Sequence, residues 1–330
     1  MTGELLPRRT LGRTGLRVTS LCAGGSVLGS MPGVFGYDLP ADRAIAALRE
    51  IFRGPIGFLD TASGYSDGES ERRIGLALNE IGGVPDGFVI ASKADRDPQT
   101  NDFSGDQVRR CLERSLTLLG MDHIPLYYLH DPEHVGFETT MAPGGAVEAL
   151  AALKSEGLIG HVGVAAGPVD LLARYIRTGA FDVVLTHNRY TLVDDSASHV
   201  LDLATEHGMG VVNAAPFGGG ILAKGTARQT TYAYRPAPRS VLDRIAEMEA
   251  ICARAGTDLA AAALRFSTGD ERIHSTVVSL SSPERVRALI DMAATPVPEV
   301  VMQQLSAARP GAAGRPPAYP GDRRADEEAG

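Results

Sequence analysis

The stretch "GFVIASKADRDPQTNDFSGDQVRRCLERSLTLLGMDHIPLYYLH", residues 87–130, decides the fold. It opens on one apolar run, "GFVIASK" (87–93), and closes on another, "IPLYYLH" (124–130). Between them "GDQVRRCLERSLTLLG" (105–120) reads as a helix that Gly120 ends. Both flanking runs are nearly continuous rather than alternating, as parallel strands buried on two faces require. The unit is therefore strand, helix, parallel strand.

The same rhythm extends in both directions. Upstream, "LCAGG" (21–25) and "IGFLD" (56–60) are strands, followed by helices "DRAIAALREIF" (42–52) and "ESERRIGLALNEI" (69–81), the second capped by Ser70. Downstream the strands are "IGHVGVA" (159–165), "FDVVLT" (181–186), "GVVNAAP" (210–216) and "HSTVVSL" (274–280), interleaved with helices up to "SPERVRALIDMA" (282–293). Eight strands, each followed by a helix, predict an α/β chain folded as a (β/α)8 TIM barrel. "RTLGRTGLRVTSL" before it reads as a β-hairpin turning at Thr14-Gly15. The competing architecture is a doubly wound open sheet, but "CAGGSVLG" (22–29) after the first strand is not the GxGxxG of a dinucleotide turn. One barrel domain over 1–308 is expected, with a Pro-, Gly- and charge-rich tail, 309–330, that lacks the apolar surface to order itself.

Bulk properties narrow the function. The chain has 330 residues, 44% hydrophobic and 22% charged, with a net charge of −8. That balance argues against a nucleic-acid binder. No apolar run is long enough to span a bilayer, and "MTGELLPRRT" has no signal-peptide core, so no membrane partner is expected. Cys22, Cys111 and Cys252 form no CxxC pair, which fits a reducing cytoplasm, and His123, His134, His161, His199, His207 and His274 have no metal-ligand spacing. No metal is expected.

Three consecutive strands end in an ionisable residue: Asp60, Lys93 and His130. In a barrel all such ends open onto one face, and Tyr65, in the loop after the second strand, reaches the same mouth. A cation beside a phenol favours phenolate, and a carboxylate holds that cation in place. Lowering the phenol by about three units needs roughly 4 kcal/mol, within reach of a desolvated ion pair. The group suits proton transfer to a carbonyl oxygen, His130 orienting the substrate, with the hydride left to a cofactor. Taken singly each residue has a plainer reading: Asp60 a turn residue, Tyr65 a half-buried aromatic, His130 a structural histidine, Lys93 a surface or Schiff-base lysine.

Taken together, "LGRTGLRV", "FLDTASGYSDGESERRIGLAL", Ser92-Lys93, "YYLHDPE", "LIGHVGV", "AAPFGGGIL" and "SSPERV", in this order, resemble the aldo-keto reductase superfamily over roughly residues 8–293. The resemblance places Asp60, Tyr65, Lys93 and His130 on that family's catalytic tetrad. "LHDPE" and "HNRYTL" look most like its aldose 1-dehydrogenases, acting on L-fucose, D-threo-aldoses or L-galactose, and its pyridoxal dehydrogenases. It implies an NAD(P)-dependent oxidoreductase that takes a sugar hemiacetal to a lactone, or acts on a small aldehyde. The implied cofactor contacts are Gly25, His187, Ala215, Pro216, Phe217, Gly218, Ser279, Ser281, Ser282 and Arg285. Where the family commonly holds the nicotinamide amide with Ser-Asn, this chain has Ala165-Ala166; a Gln is replaced by His187, a stacking aromatic by Ala214 and a phosphate-gripping Lys by Ser279. His187 then reads equally as a cofactor contact or a pocket wall. NAD against NADP stays open, as does oligomeric state. A cofactor-binding redox sensor or regulatory subunit with little turnover is the alternative function, and a Schiff-base aldolase through Lys93 a third that leaves Tyr65 unexplained.

Overall fold

The computed structural model describes residues 6–311, 315 and 316. β1 (Arg8–Thr10) and β2 (Arg17–Thr19) pair as an antiparallel hairpin, with Gly15 turning in left-handed backbone, φ 74°. β3 (Leu21–Gly24), β4 (Phe58–Asp60), β5 (Val89–Ala94), β6 (Ile124–His130), β7 (Ile159–Ala166), β8 (Val183–His187) and β9 (Gly210–Ala214) follow. A small hairpin, β10 (Thr231–Tyr232) with β11 (Arg235–Pro236), precedes β12 (Ser275–Ser279). The parallel order β12-β3-β4-β5-β6-β7-β8-β9 closes on itself through β9 and β12, so the open sheet is excluded and the (β/α)8 barrel stands.

Alternation along each strand divides the apolar residues into two layers. Cys22, Phe58, Val89, Ala91, Leu126, Tyr128, Val183, Leu185, Val212 and Val277 fill the barrel's interior. Leu59, Ile90, Leu129, Val164 and Val211 face the helices. The interior is tight: a Cβ on Gly163 would fall 2.2 Å from the Tyr128 ring. The hairpin plugs the N-terminal end with Leu11, which is fully buried. Gly12, at φ 51°, lies so close to β9 that a Cβ there would be 2.2 Å from the Gly210 nitrogen. The bottom is therefore closed, and function is left to the opposite mouth.

One local reading needs amendment. Ser70 does not cap its helix. Glu69–Ile81 starts after Gly68, and Ser70 is buried in the first turn, its Oγ donating to the Gly25 carbonyl (2.8 Å) with Thr61 Oγ1 at 2.9 Å. The hydroxyl satisfies an inward carbonyl rather than the helix end. The loops at 131–144 and 216–238 contain the short helices Phe137–Met141 and Ile221–Lys224 besides the β10–β11 hairpin, and a helix Glu299–Ala307 follows the last barrel helix, Pro283–Ala294. The expected disordered tail, 309–330, falls mostly outside the described residues; of those described, Arg309 and Arg315 both pair with Asp195. Among the described residues no helix is long and apolar enough to cross a membrane.

Candidate active site

The same alternation that fills the interior sets the mouth. Two residues beyond Phe58, Ala91, Tyr128, Leu185, Val212 and Val277 come Asp60, Lys93, His130, His187, Ala214 and Ser279, the last inward positions of their strands, and Ala165 joins them on β7. Register aligns His130 with Ala165 and His187 with Ala214. Ala166 belongs to the helix-facing layer instead.

On the β4–β6 side the four sequence-picked residues meet. Lys93 is 1% exposed, and its Nζ donates to Asp60 Oδ1 at 2.5 Å, to the Thr61 carbonyl at 2.7 Å and to Tyr65 Oη at 3.3 Å. An ammonium has three donors, and all are used. Burial alone would lower the Lys93 pKa; Asp60 and Tyr65 outweigh it and raise it, so Lys93 stays charged. Tyr65 is carried there by a tight loop in which Ser66, Asp67 and Gly68 all have positive φ, with Arg114 holding Asp67 Oδ1 at 2.8 Å. Its ring meets His130 edge-on at 5.6 Å.

The phenol's acidity differs from the sequence reading. Burial pushes Tyr65 well above the ordinary tyrosine range, and Lys93 only partly opposes it while Asp60 and Asp131 add to the rise. Desolvation of the phenolate outweighs the single cation, so Tyr65 is held protonated through neutral pH.

Three carboxylates that sequence reasoning passed over complete this side. Asp95, just past β5, accepts from His130 Nδ1 at 2.7 Å. Asp131, at φ 45°, places Oδ1 3.8 Å from His130 Nε2 and 3.6 Å from His187 Nε2. Burial pulls His130 down, but Asp131 and Asp95 prevail and push it up to about 9. Against its own burial, Asp131 is held well below the usual carboxylate range by His130 and His187. Glu133, whose Oε1 accepts from the Gly167 N–H (3.4 Å), is pushed up to about 7 by burial and by Asp131. Ligand atoms of Asp131, Glu133 and His187 lie within 4.8 Å of one another, and Asp131 Oδ1 also faces His130 Nε2. The one signal for these residues was an acid directly after a strand end, in "SKAD" and "HDPE". Tyr175 belongs to the helix layer, its hydroxyl 2.6 Å from Thr140 Oγ1.

The other expected contacts gather on the β9–β12–β3 side. After β9 the chain curls through Ala215 (φ 57°) and Gly218, Gly219 and Gly220 (φ 58°, 75° and 110°), with Pro216 buried and Phe217 partly so. A Cβ on Gly218 would strike the Tyr232 ring at 2.3 Å, so glycine is required there. Ser279 Oγ lies 2.8 Å from Ser26 Oγ. Ser281 and Ser282 are buried, and Ser282 caps the helix Pro283–Ala294 by accepting from the Arg285 N–H, the Arg285 side chain lying exposed. Gly25 donates its N–H to the Asp60 carbonyl (2.7 Å). A helix start with buried hydroxyls and an arginine beside a glycine curl suits the phosphates of a dinucleotide. Asn188 Oδ1, next to His187, is buried without a hydrogen-bond partner, and an amide-bearing ring would supply a donor. The residues present thus fit an NAD(P) cofactor.

Comparison with known proteins bears on family and fold. Residues 20–310 match the model of the aldo/keto reductase family. The chain is 30% identical to the L-galactose dehydrogenase of Arabidopsis thaliana, over 84% of this chain and 85% of that protein. It is 30% identical to the D-threo-aldose 1-dehydrogenase of a Pseudomonas species, over 82% of this chain and 89% of the other. A solved aldo-keto reductase from Bacillus halodurans, in its holo form, superposes with a TM-score of 0.77 at 23% identity, covering 97% of this chain and 100% of that one; at that identity it speaks for the fold.

Proposed function

We propose that this chain, which belongs to the aldo/keto reductase family of NAD(P)-dependent oxidoreductases, oxidises the hemiacetal carbon of an aldose to a lactone, or acts on a small aldehyde, with Tyr65 as the proton-transfer group. The single observation that supports it most is the Lys93 ammonium, bridging Asp60 at 2.5 Å and the Tyr65 hydroxyl at 3.3 Å, with the Tyr65 ring edge-on to that of His130.

The roles follow from the contacts. In reduction, Tyr65 Oη gives its proton to the carbonyl oxygen; in oxidation, the phenolate takes the proton of the sugar hydroxyl. Lys93 steadies whichever form is charged, and Asp60 fixes Lys93. His130 Nε2 faces the mouth and orients the reacting oxygen. Gly218 to Gly220, Ser281, Ser282 and Arg285, with His187 and Asn188, would hold an NAD(P) cofactor, which when bound would supply the hydride chemistry. Because burial keeps Tyr65 protonated, the group stands ready as an acid at neutral pH and becomes a base only under alkaline conditions. A sensor that binds cofactor without turnover has no use for the Lys93–Tyr65 contact. Three free, buried cysteines accord with a reducing compartment, the cytoplasm.

The test is absorbance at the reduced-nicotinamide band with a panel of aldoses and small aldehydes and both cofactors. Oxidation of at least one aldose, faster toward alkaline pH, is expected. Cofactor binding with no turnover across the panel would favour the sensor.

A further inference from the structure

Asp95 does more than sit beside His130. Its Oδ1 receives His130 Nδ1 at 2.7 Å, while its Oδ2 receives the Gly64 N–H at 2.7 Å and the Ser63 hydroxyl at 3.0 Å. Ser63 and Gly64 immediately precede Tyr65. One carboxylate therefore joins β6, which carries His130, to the loop from β4 that carries Tyr65. The residue is fixed at its backbone too, where its carbonyl accepts from Gln107 Nε2 (3.1 Å) and Cys111 Sγ (3.2 Å). The approach is close: a Cβ on Gly64 would lie 2.8 Å from the Asp95 carboxyl carbon.

Chemistry sets the protonation pattern. The Gly64 N–H can only donate, and the Ser63 hydroxyl turns its hydrogen to the same oxygen. Of the side chains, only an ionised carboxylate accepts at every lone pair, so it takes these two and the imidazole N–H together. Asparagine has one acceptor oxygen and would turn an N–H₂ toward at least one of the three donors. Despite burial, His130 and the Gly64 N–H hold the Asp95 carboxyl below its ordinary range, in keeping with an ionised acceptor. Nδ1 must then carry a proton, which leaves Nε2 as the nitrogen that faces the mouth.

We propose that Asp95 is a positioning residue that fixes Nδ1 as the protonated nitrogen of His130, aims Nε2 at the reacting oxygen and, through Ser63 and Gly64, holds the Tyr65 hydroxyl at a set distance from it. The two groups that meet the substrate are thereby braced by one strut, and a shift of either is carried to the other. The charges facing His130 are Asp95 from the end of β5, Asp131 from the end of its own strand and Asp60 from β4, opposed by Lys93 from β5 and by His134 beyond β6, while His187 meets the same Asp131 oxygen. Asp95 thus supplies, with Asp131 and Asp60, an attraction that keeps the ring protonated, and Nε2 a donor, over the neutral range. The proposal rests on the roles given above to Tyr65 and His130.

The experiment is ring-nitrogen NMR of His130 in the full chain, assigned with His130→Gln, for the wild type and Asp95→Asn, beside kcat and the Kd for reduced cofactor from its fluorescence. In the wild type the Nδ1-protonated form should persist above the titration. In Asp95→Asn the His130 midpoint should fall by more than about one pH unit, and kcat should fall by about tenfold or more while the cofactor Kd holds within about twofold. Asp95→Glu, which keeps the charge but displaces it, should retain the high midpoint and still lose kcat, and it serves should Asp95→Asn not fold. An unmoved midpoint in folded Asp95→Asn, or unchanged kcat in both variants, overturns the proposal. A wild type without turnover on any aldose or aldehyde would bring down the proposed function while the NMR titration still tested the His130 contact.

Discussion

The barrel mouth has two unlike halves. Along β4, β5 and β6 the ionisable groups are joined to one another: Lys93 to Asp60 and Tyr65, and His130 to Asp95. Along β7, β8 and β9 the same ring of positions holds Ala165, His187 and Ala214, and the nearby Asn188 Oδ1 is buried without a partner. Strand geometry is common to both halves, so the difference lies in what each must have ready. A proton donor needs its acidity and position set before substrate arrives. Buried oxygens without a hydrogen-bond partner occur in both halves, Asp60 Oδ2 and Asp131 Oδ1 in the first and Asn188 Oδ1 in the second, so what separates the halves is the linked charge of the first rather than unmet hydrogen bonds.

The largest expected effect comes from removing the proton itself. Tyr65→Phe should lower kcat by about 10²–10⁴-fold. The reduced-cofactor Kd should stay within about twofold, because the loss confines itself to one half of the mouth. The pH dependence has a definite sign. The phenol lies above its ordinary value, so wild-type oxidation should quicken as pH rises and more phenolate forms, while reduction should stay flat across neutrality. In Tyr65→Phe the alkaline rise should vanish. Steady-state rates in both directions across neutral and alkaline pH read this, and a rise that persists would move the base to another residue.

The next effect is on stability. Lys93→Met leaves Asp60 buried at the barrel mouth without its cation, and breaking such a pair costs about 3–5 kcal/mol. Adding Asp60→Asn removes the stranded charge and should recover most of that loss. Urea unfolding of the single and double variants measures both steps. If the single variant is as stable as the wild type, the mouth is wetter than its 1% exposed lysine indicates, and the contrast between the halves weakens.

How much of this was legible in the sequence follows from the same physics. Asp60, Lys93 and His130 end apolar runs, and a period of two places the ends of parallel strands on one ring, so their meeting could be read directly. Asp95 could not. In "KADRD" it looks like a solvated turn, because its partners His130, Ser63 and Gly64 come from other strands and loops. The direction of the Tyr65 shift was missed because a sequence counts neighbouring charges but not the burial that outweighs them. Ser70 was misplaced for a related reason: its hydroxyl serves the Gly25 carbonyl across the barrel wall, a partner no local cap rule includes. On the cofactor side, family resemblance identified segments, but Ala166 proved to face the helices, which only strand register reveals.

The smallest effect tests the cofactor half. Arg285, exposed in the first turn of the helix Pro283–Ala294, is the cation that remains where Ser279 replaces a lysine, and the Ser279 hydroxyl is engaged with Ser26 at 2.8 Å. An arginine at a helix start favours a phosphate through charge-assisted hydrogen bonds, but an exposed one is screened by salt. Arg285→Ala should therefore weaken the 2′-phosphorylated dinucleotide by about tenfold at low ionic strength and by less at high salt. Binding of the unphosphorylated form should change by no more than about twofold. Fluorescence titrations of both reduced cofactors at two ionic strengths separate these outcomes. Equal losses for both would assign Arg285 to the shared pyrophosphate. No loss for either would make it part of a solvated helix face and leave the hydroxyls of Ser281 and Ser282, with the glycine curl after β9, as the phosphate contacts on this side.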